Sequence, residues 1–158
     1  QSTASFEQIK KLSIKREDVI ITKDSETIEE IAIPAFVEED LKNIVCGYHL
    51  ALIRTHKEKI LGRYLFRLFQ SKKFSERFSI NSNGVTRFGI STYPIKNIPI
   101  LLPPCQEQKS IADYLDKMTE NIDKTIQKIE EKINLLEEYK KSLIHHVVTG
   151  KIDVREAI

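Results

Sequence analysis

The chain has 158 residues, 41% hydrophobic and 30% charged with a net charge of +2, the make-up of one domain with a modest core plus an extension. No apolar run approaches the roughly 18 residues of a membrane helix and no signal-peptide pattern opens the sequence, so neither membrane nor secretion is indicated and the cytoplasm is expected. Cys46 and Cys105 stand far apart and outside metal-ligand spacing, which predicts idle or buried thiols in a reducing compartment.

The small net charge conceals a strong asymmetry. Residues 1–40 balance at −5, residues 41–105 at +9, and residues 106–158 at −2. A basic block that dense is the footprint expected of a phosphate-binding surface; the alternative is a solvated face that happens to be basic.

In chain order, Gln1 to Leu12 is polar and predicts no firm element. Asp18 to Thr22 is a β-branched run and reads as a strand, and Lys23 to Thr27 as a polar turn. Ile31 to Val37 reads as a second strand, which Pro34 assigns to an edge or a bulge. Ile44 to Cys46 and His49 to Arg54, hinged at Gly47-Tyr48, continue the strand pattern. The sum is a small mixed or antiparallel sheet in an α+β domain. The period then changes to helical over Ile60 to Gln70, with another turn or two from Lys73 to Phe78. Phe66, Phe69, Phe74 and Phe78 are expected in the core, although aromatics interleaved with bases also suit nucleotide stacking. Asn81 to Gly84 is a turn cluster, and Val85 to Gly89 reads as a tight exposed loop with hydrogen-bonding tips. Ser91 to Asn97 suits a short helical turn, and Ile98 to Pro104 an extended lead.

The segment from Gln106 to Thr149 has neither Pro nor Gly and carries two columns of core residues at 3-4 spacing. One column holds Leu115, Ile122, Ile129, Leu136 and Leu143; the other holds Ala112, Thr119, Ile126, Ile133, Lys140 and Val147. Nine of these eleven positions are apolar, and each gains roughly 1–3 kcal/mol on burial. Leaving them wet forfeits on the order of 10 kcal/mol, comparable to a domain's whole stability. A coiled-coil seam with interface residues Leu115, Ile122, Ile126, Ile129, Ile133, Leu136, Leu143 and Val147 is therefore expected. The alternative is a single helix lying on its own domain. Thr119 and Lys140 interrupt the columns, as residues that fix register do. Pro103-Pro104 suit the helix start and Gly150 its C-terminal cap. The expected organisation is a globular domain over 1–104, a long coiled-coil helix over 105–150 and a tail over 151–158.

Catalytic signatures are absent: no phosphate-binding loop, dinucleotide fingerprint or nucleophile elbow occurs. Glu138-Tyr139-Lys140 has a nuclease-like E-x-K spacing without an upstream carboxylate, and His145-His146 diverge on a helix. His49 and His56 stand alone, as structural or surface histidines do. No catalytic residue, metal or cofactor is predicted; the chain reads as a binder.

Beyond these patterns, IPILLPPCQEQKSIADYLDKMTENIDKTIQKIEEKINLLEEYKKSLI followed by VTGKIDVRE resembles the conserved helical region of type I restriction–modification specificity subunits, with the Pro-Pro-x-x-Glu-Gln entry to the helix among its most specific parts. VIITKDSET, NIVCGYHLALIR, LGRYLFRLFQS and NGVTRFGIS resemble segments of a target recognition domain of that family. The resemblance implies a non-catalytic subunit that binds double-stranded DNA. In that family two recognition domains are separated by paired antiparallel helices. The subunit docks methyltransferase subunits and, through them, restriction subunits. The absence of an initiating methionine and the VTGKIDVRE ending fit the second half of a longer subunit, short of some N-terminal strands. With one helix per chain, two copies are expected to pair through the seam as a homodimer.

From charge, turn chemistry and loop position, Lys57, Lys72, Lys73 and Arg77 are the expected phosphate contacts. Lys23, Ser25, Tyr48, Asn83, Thr86 and Arg87 are the candidates for base reading or close groove approach, with turn geometry alone as the alternative. Two other readings of the chain are the recognition part of a single-chain restriction–methylation enzyme and a coiled-coil adaptor that binds protein.

Overall fold

The computed structural model describes residues 4–155. The chain divides into two compact units, Gln1–Leu115 and Asp116–Ile158. The first is α+β, with two small antiparallel sheets and short helices; the second is the greater part of one long helix and the segment after it.

In the first unit, β1 (Val19–Thr22) is the central strand of a three-stranded sheet, flanked by β3 (Pro34–Phe36) and β4 (Leu50–Ile53). Val19 lies opposite Phe36 on one side and Ile53 on the other. Its residues alternate in burial as a two-faced strand requires. Val19 and Ile21 enter the main core with Ile31, Leu65, Phe69, Phe74, Phe78 and Ile90. Ile20 faces a second cluster built on Ile14, Val37 and Cys46. Pro34 sits in the edge strand β3, where its missing N–H is tolerated.

Helices α2 (Gly62–Phe69) and α3 (Lys72–Ile80) deliver the aromatic stripe. Phe69 meets Phe78 edge-on at 5.1 Å and Phe74 at 5.7 Å, separations that favour tilted and T-shaped rings. Phe66 is half-buried against the same core and stacks on Phe36 at 5.9 Å. At the foot of β1, Asp18 is buried and accepts from Arg54 Nε (2.9 Å), Arg54 Nη2 (2.6 Å) and the Lys15 backbone N–H (2.8 Å). A carboxylate out of water needs such a set of partners.

Three features differ from the sequence expectation. The polar N-terminal stretch forms α1 (Phe6–Leu12), nucleated by a capping box in which Ser5 and Gln8 cap each other. Ile44 to Cys46 is no strand: Asn43 takes a positive φ of 61°, and Val45 makes only an isolated bridge to Ser13. The stretches read as turn and loop contain a second sheet. Its strands β2 (Asp24–Ser25), β5 (Ser82–Asn83) and β6 (Phe88–Ile90) run in the order β2-β6-β5, too short to show a period. Helix α4 (Thr92–Asn97) follows.

Helix α5 (Cys105–Val148) runs for 44 residues, about 65 Å. Gly150 takes φ 75° beyond its end, and the N–H groups of Thr149, Gly150 and Lys151 close onto the last carbonyls. The first turns of α5 belong to the first unit through Gln108, which is fully buried. Its Oε1 accepts the Leu61 N–H at the start of α2 (2.9 Å), and its Nε2 donates to the carbonyls of Lys59 (2.9 Å) and Pro103 (2.8 Å). From Ile122 to Leu143 the seam residues are exposed in the single chain. No helix among the described residues is long and apolar enough to cross a membrane.

Candidate nucleic-acid interface

The site is assembled where the second sheet meets the turn before β4. The Lys23 N–H donates to the His49 carbonyl (2.8 Å), and the Ile90 N–H donates to the Lys23 carbonyl (2.9 Å). These two backbone bonds bring three segments together: the β1–β2 junction, the Gly47–His49 turn and β6. Asp24 pairs with Gly89 and Asn83 also lies opposite Gly89, so the tip between β5 and β6 is held beside them. Gly84, at φ 143°, closes that tip. A Cβ there would fall 1.9 Å from the Arg87 carbonyl oxygen, so only glycine fits.

On this frame the side chains form a linked group. Lys23 Nζ lies 4.8 Å from the centroid of the Tyr48 ring, a cation–π contact. Tyr48 is 77% exposed and meets His49 edge-on. The largely shielded Asp24 carboxylate holds His49 Nδ1 (2.7 and 2.9 Å) and Arg87 Nη2 (3.2 Å). These partners, His49 foremost, hold the Asp24 carboxyl below its ordinary range. Asn83, Val85 and Thr86 are exposed at the tip. Such a surface offers cations, an aromatic face and a planar donor fork together.

The sequence-predicted residues divide accordingly. Lys23, Tyr48, Asn83 and Arg87 are brought to this frame, and Thr86 sits at its tip. Ser25 is on β2, but its hydroxyl accepts from the Thr27 N–H and donates to the Glu30 carboxylate, a bond that holds the Glu30 carboxyl low. The four expected phosphate contacts do not gather at one point. Lys57 pairs with Glu17 (2.5 Å), and its carbonyl faces Cys105 Sγ. Lys72 and Lys73 open α3, with Lys72 3.7 Å from Glu76 and Lys73 exposed. Arg77 lies over the Phe74 ring and donates to the Pro99 carbonyl. The basic block is partly neutralised in the fold, since Arg54, Lys57, Arg63, Lys72 and Arg87 each pair with a carboxylate. Three of those carboxylates, Glu17, Asp18 and Asp24, come from the acidic first forty residues.

Sequence reasoning missed Asp24 and His49. One looks like an ordinary turn acid and the other like a lone histidine; their relation to Arg87 exists only through the pairing of β2 with β6.

The chain thus combines an α+β domain bearing charged turn tips with a long helix whose apolar seam is exposed in the single chain. The family described as Type I restriction modification DNA specificity domain matches residues 2–135, and the chain belongs to that family. Similar proteins include two from Methanocaldococcus jannaschii. The putative type I restriction enzyme MjaX specificity subunit is 30% identical over 146 residues, 86% of this chain and 33% of that protein. The type I restriction enzyme MjaVIII specificity subunit is 36% identical over 98 residues, 62% of this chain and 22% of that protein. The type I restriction enzyme EcoBI specificity subunit of Escherichia coli is 26% identical over 95 residues, 52% of this chain and 20% of that protein. The chain thus spans a third or less of the length of these relatives.

Proposed function

We propose that the chain is a non-catalytic DNA-recognition domain of a type I specificity subunit, acting on double-stranded DNA. The observation that carries this reading is the gathering of Lys23, Tyr48 and Arg87 beside the exposed Asn83–Thr86 tip, in a chain of the specificity-domain family. Phosphate contacts from Lys72, Lys73 and neighbouring bases position the duplex, and the tip residues read base edges in a groove. Helix α5 acts as spacer, and its exposed seam pairs with a second helix, that of another copy when the chain is isolated. Methyltransferase subunits dock on the assembled specificity unit and carry the restriction subunits with them.

A salt titration of duplex binding tests the reading. With about five phosphates neutralised, log affinity falls against log salt with a slope near −4 to −5. A flat response overturns the electrostatic basis. One observation favours a protein-binding adaptor instead, namely the pairing of so many bases with carboxylates. That reading expects no duplex retention at physiological salt, so the same titration separates the two.

A further inference from the structure

The DNA-facing reading makes Asp24 an anomaly. A carboxylate beside a polyanion repels it, so its presence on such a surface needs a compensating use. Backbone bonds do not supply that use. Lys23 N–H to the His49 carbonyl and Ile90 N–H to the Lys23 carbonyl already tie the three segments together, as does the β2–β6 ladder. The Asp24 side chain adds something else: its Oδ1 holds one terminal nitrogen of Arg87, and both its oxygens hold the His49 ring beside it. With its proton on Nδ1, His49 donates to Asp24, and its 3.4 Å approach to Arg87 Nη2 is then a packing contact. An arginine fork offers about five N–H donors in a fixed plane. One bond from Nη2 to Asp24 leaves both terminal nitrogens with a hydrogen to offer, the pair that matches guanine O6 and N7.

We propose, resting on the DNA-recognition reading, that Asp24 and His49 are positioning residues that fix the plane of Arg87 and thereby set its preference for guanine at one base pair. Free in solution, a long arginine at a loop tip samples many rotamers and contacts phosphates as readily as bases. Clamped by Asp24, it presents one face. The carboxylate also lowers non-specific attraction at the tip, so affinity is traded for discrimination.

The test is selection of binding sites from a randomised duplex library by the intact chain and its variants, with affinities for selected and scrambled duplexes. Arg87→Lys loses about tenfold preference at one position. Asp24→Asn loses preference at that same position, while its affinity for scrambled duplex stays level or rises. Asp24→Glu restores part of the preference. His49→Gln, which leaves every backbone tie in place, loses a smaller share at that position and keeps the inference testable if Asp24→Asn folds poorly. A merely structural Asp24 would weaken all sequences alike, and that result overturns the inference. So does wild-type preference in Asp24→Asn, or a loss at a position other than the one Arg87 reads. In each of those cases the parent chain still selects a sequence and the DNA-recognition reading survives. A parent chain that selects no sequence overturns both.

Discussion

Two stretches of one helix answer the same sequence pattern differently. Between Cys105 and Leu115, α5 is anchored in the globular unit: Gln108 is fully buried, Ala112 is 1% exposed, and Asp113 pairs with Arg63 at 2.8 Å. Between Asp116 and Val148 the columns continue in phase, yet Ile122, Ile126, Ile129, Ile133 and Leu136 are about half exposed, from 48% to 56%. Periodicity states which face of a helix must leave water; it does not state against what. Here one stretch is covered by its own domain, and the other leaves its apolar columns exposed in the single chain. Ion pairs such as Glu120 with Lys124 support the solvated face but are worth only a few tenths of a kcal/mol.

The contrast is broken most forcefully in the seam. Replacing both Ile126 and Ile133 by Asp removes four buried isoleucines from a two-chain assembly, roughly 4–8 kcal/mol of association. The expected result is a monomer by sedimentation at micromolar concentration, with the melting of the globular unit unchanged because both positions lie beyond Leu115. A parent chain that is itself monomeric would remove the seam's role altogether.

Gln108→Ala tests the anchored stretch. It strips partners from the Leu61 N–H and from the Lys59 and Pro103 carbonyls, at a cost of about 2–4 kcal/mol for buried groups left unpaired. Chemical denaturation of the globular unit should report that loss, while sedimentation of the folded chain still reports paired helices. Equal damage to both would show that the two stretches are not separable.

Much of this was legible in the sequence, and the reasons are physical. The long helix declares itself through two columns and its end signals, Pro103-Pro104 and Gly150. The Phe69, Phe74 and Phe78 stripe declares itself through helical spacing, and β1 through its β-branched run. The failures are short or long-range. Helix α1 has little apolar stripe, and its signal is the Ser5–Gln8 capping box rather than periodicity. Strands of two or three residues, β2, β5 and β6, carry no period at all. The Pro-Pro-x-x-Glu-Gln motif is visible in the sequence. What Gln108 does, capping the start of α2 from 47 residues away, is visible only in the fold. The candidate site has the same character: Lys23, Tyr48 and Arg87 can be nominated by residue type, but Asp24 and His49 matter only through a contact that spans 63 residues to Arg87.

The smallest effect sharpens the comparison from within the seam. Lys140 occupies a core column between Ile133 and Val147 and is exposed in the single chain. A lysine there weakens association but restricts the pairings that keep its ammonium in water, whereas a leucine accepts several. Lys140→Leu should therefore tighten association about tenfold, close to 1.4 kcal/mol, while loosening orientation. A fluorophore on Lys151→Cys, in a chain whose Cys46 and Cys105 are replaced by Ala, reads the second effect. Antiparallel helices hold the two labels at opposite ends of a helix about 65 Å long, and parallel ones bring them together. Self-quenching should be absent with Lys140 in place and emerge in the Lys140→Leu variant, whose shorter, uncharged side chain no longer needs water. Tighter association with no change in quenching would make Lys140 a plain cost to stability, and would move the choice of orientation to Thr119 or to the charged flanks.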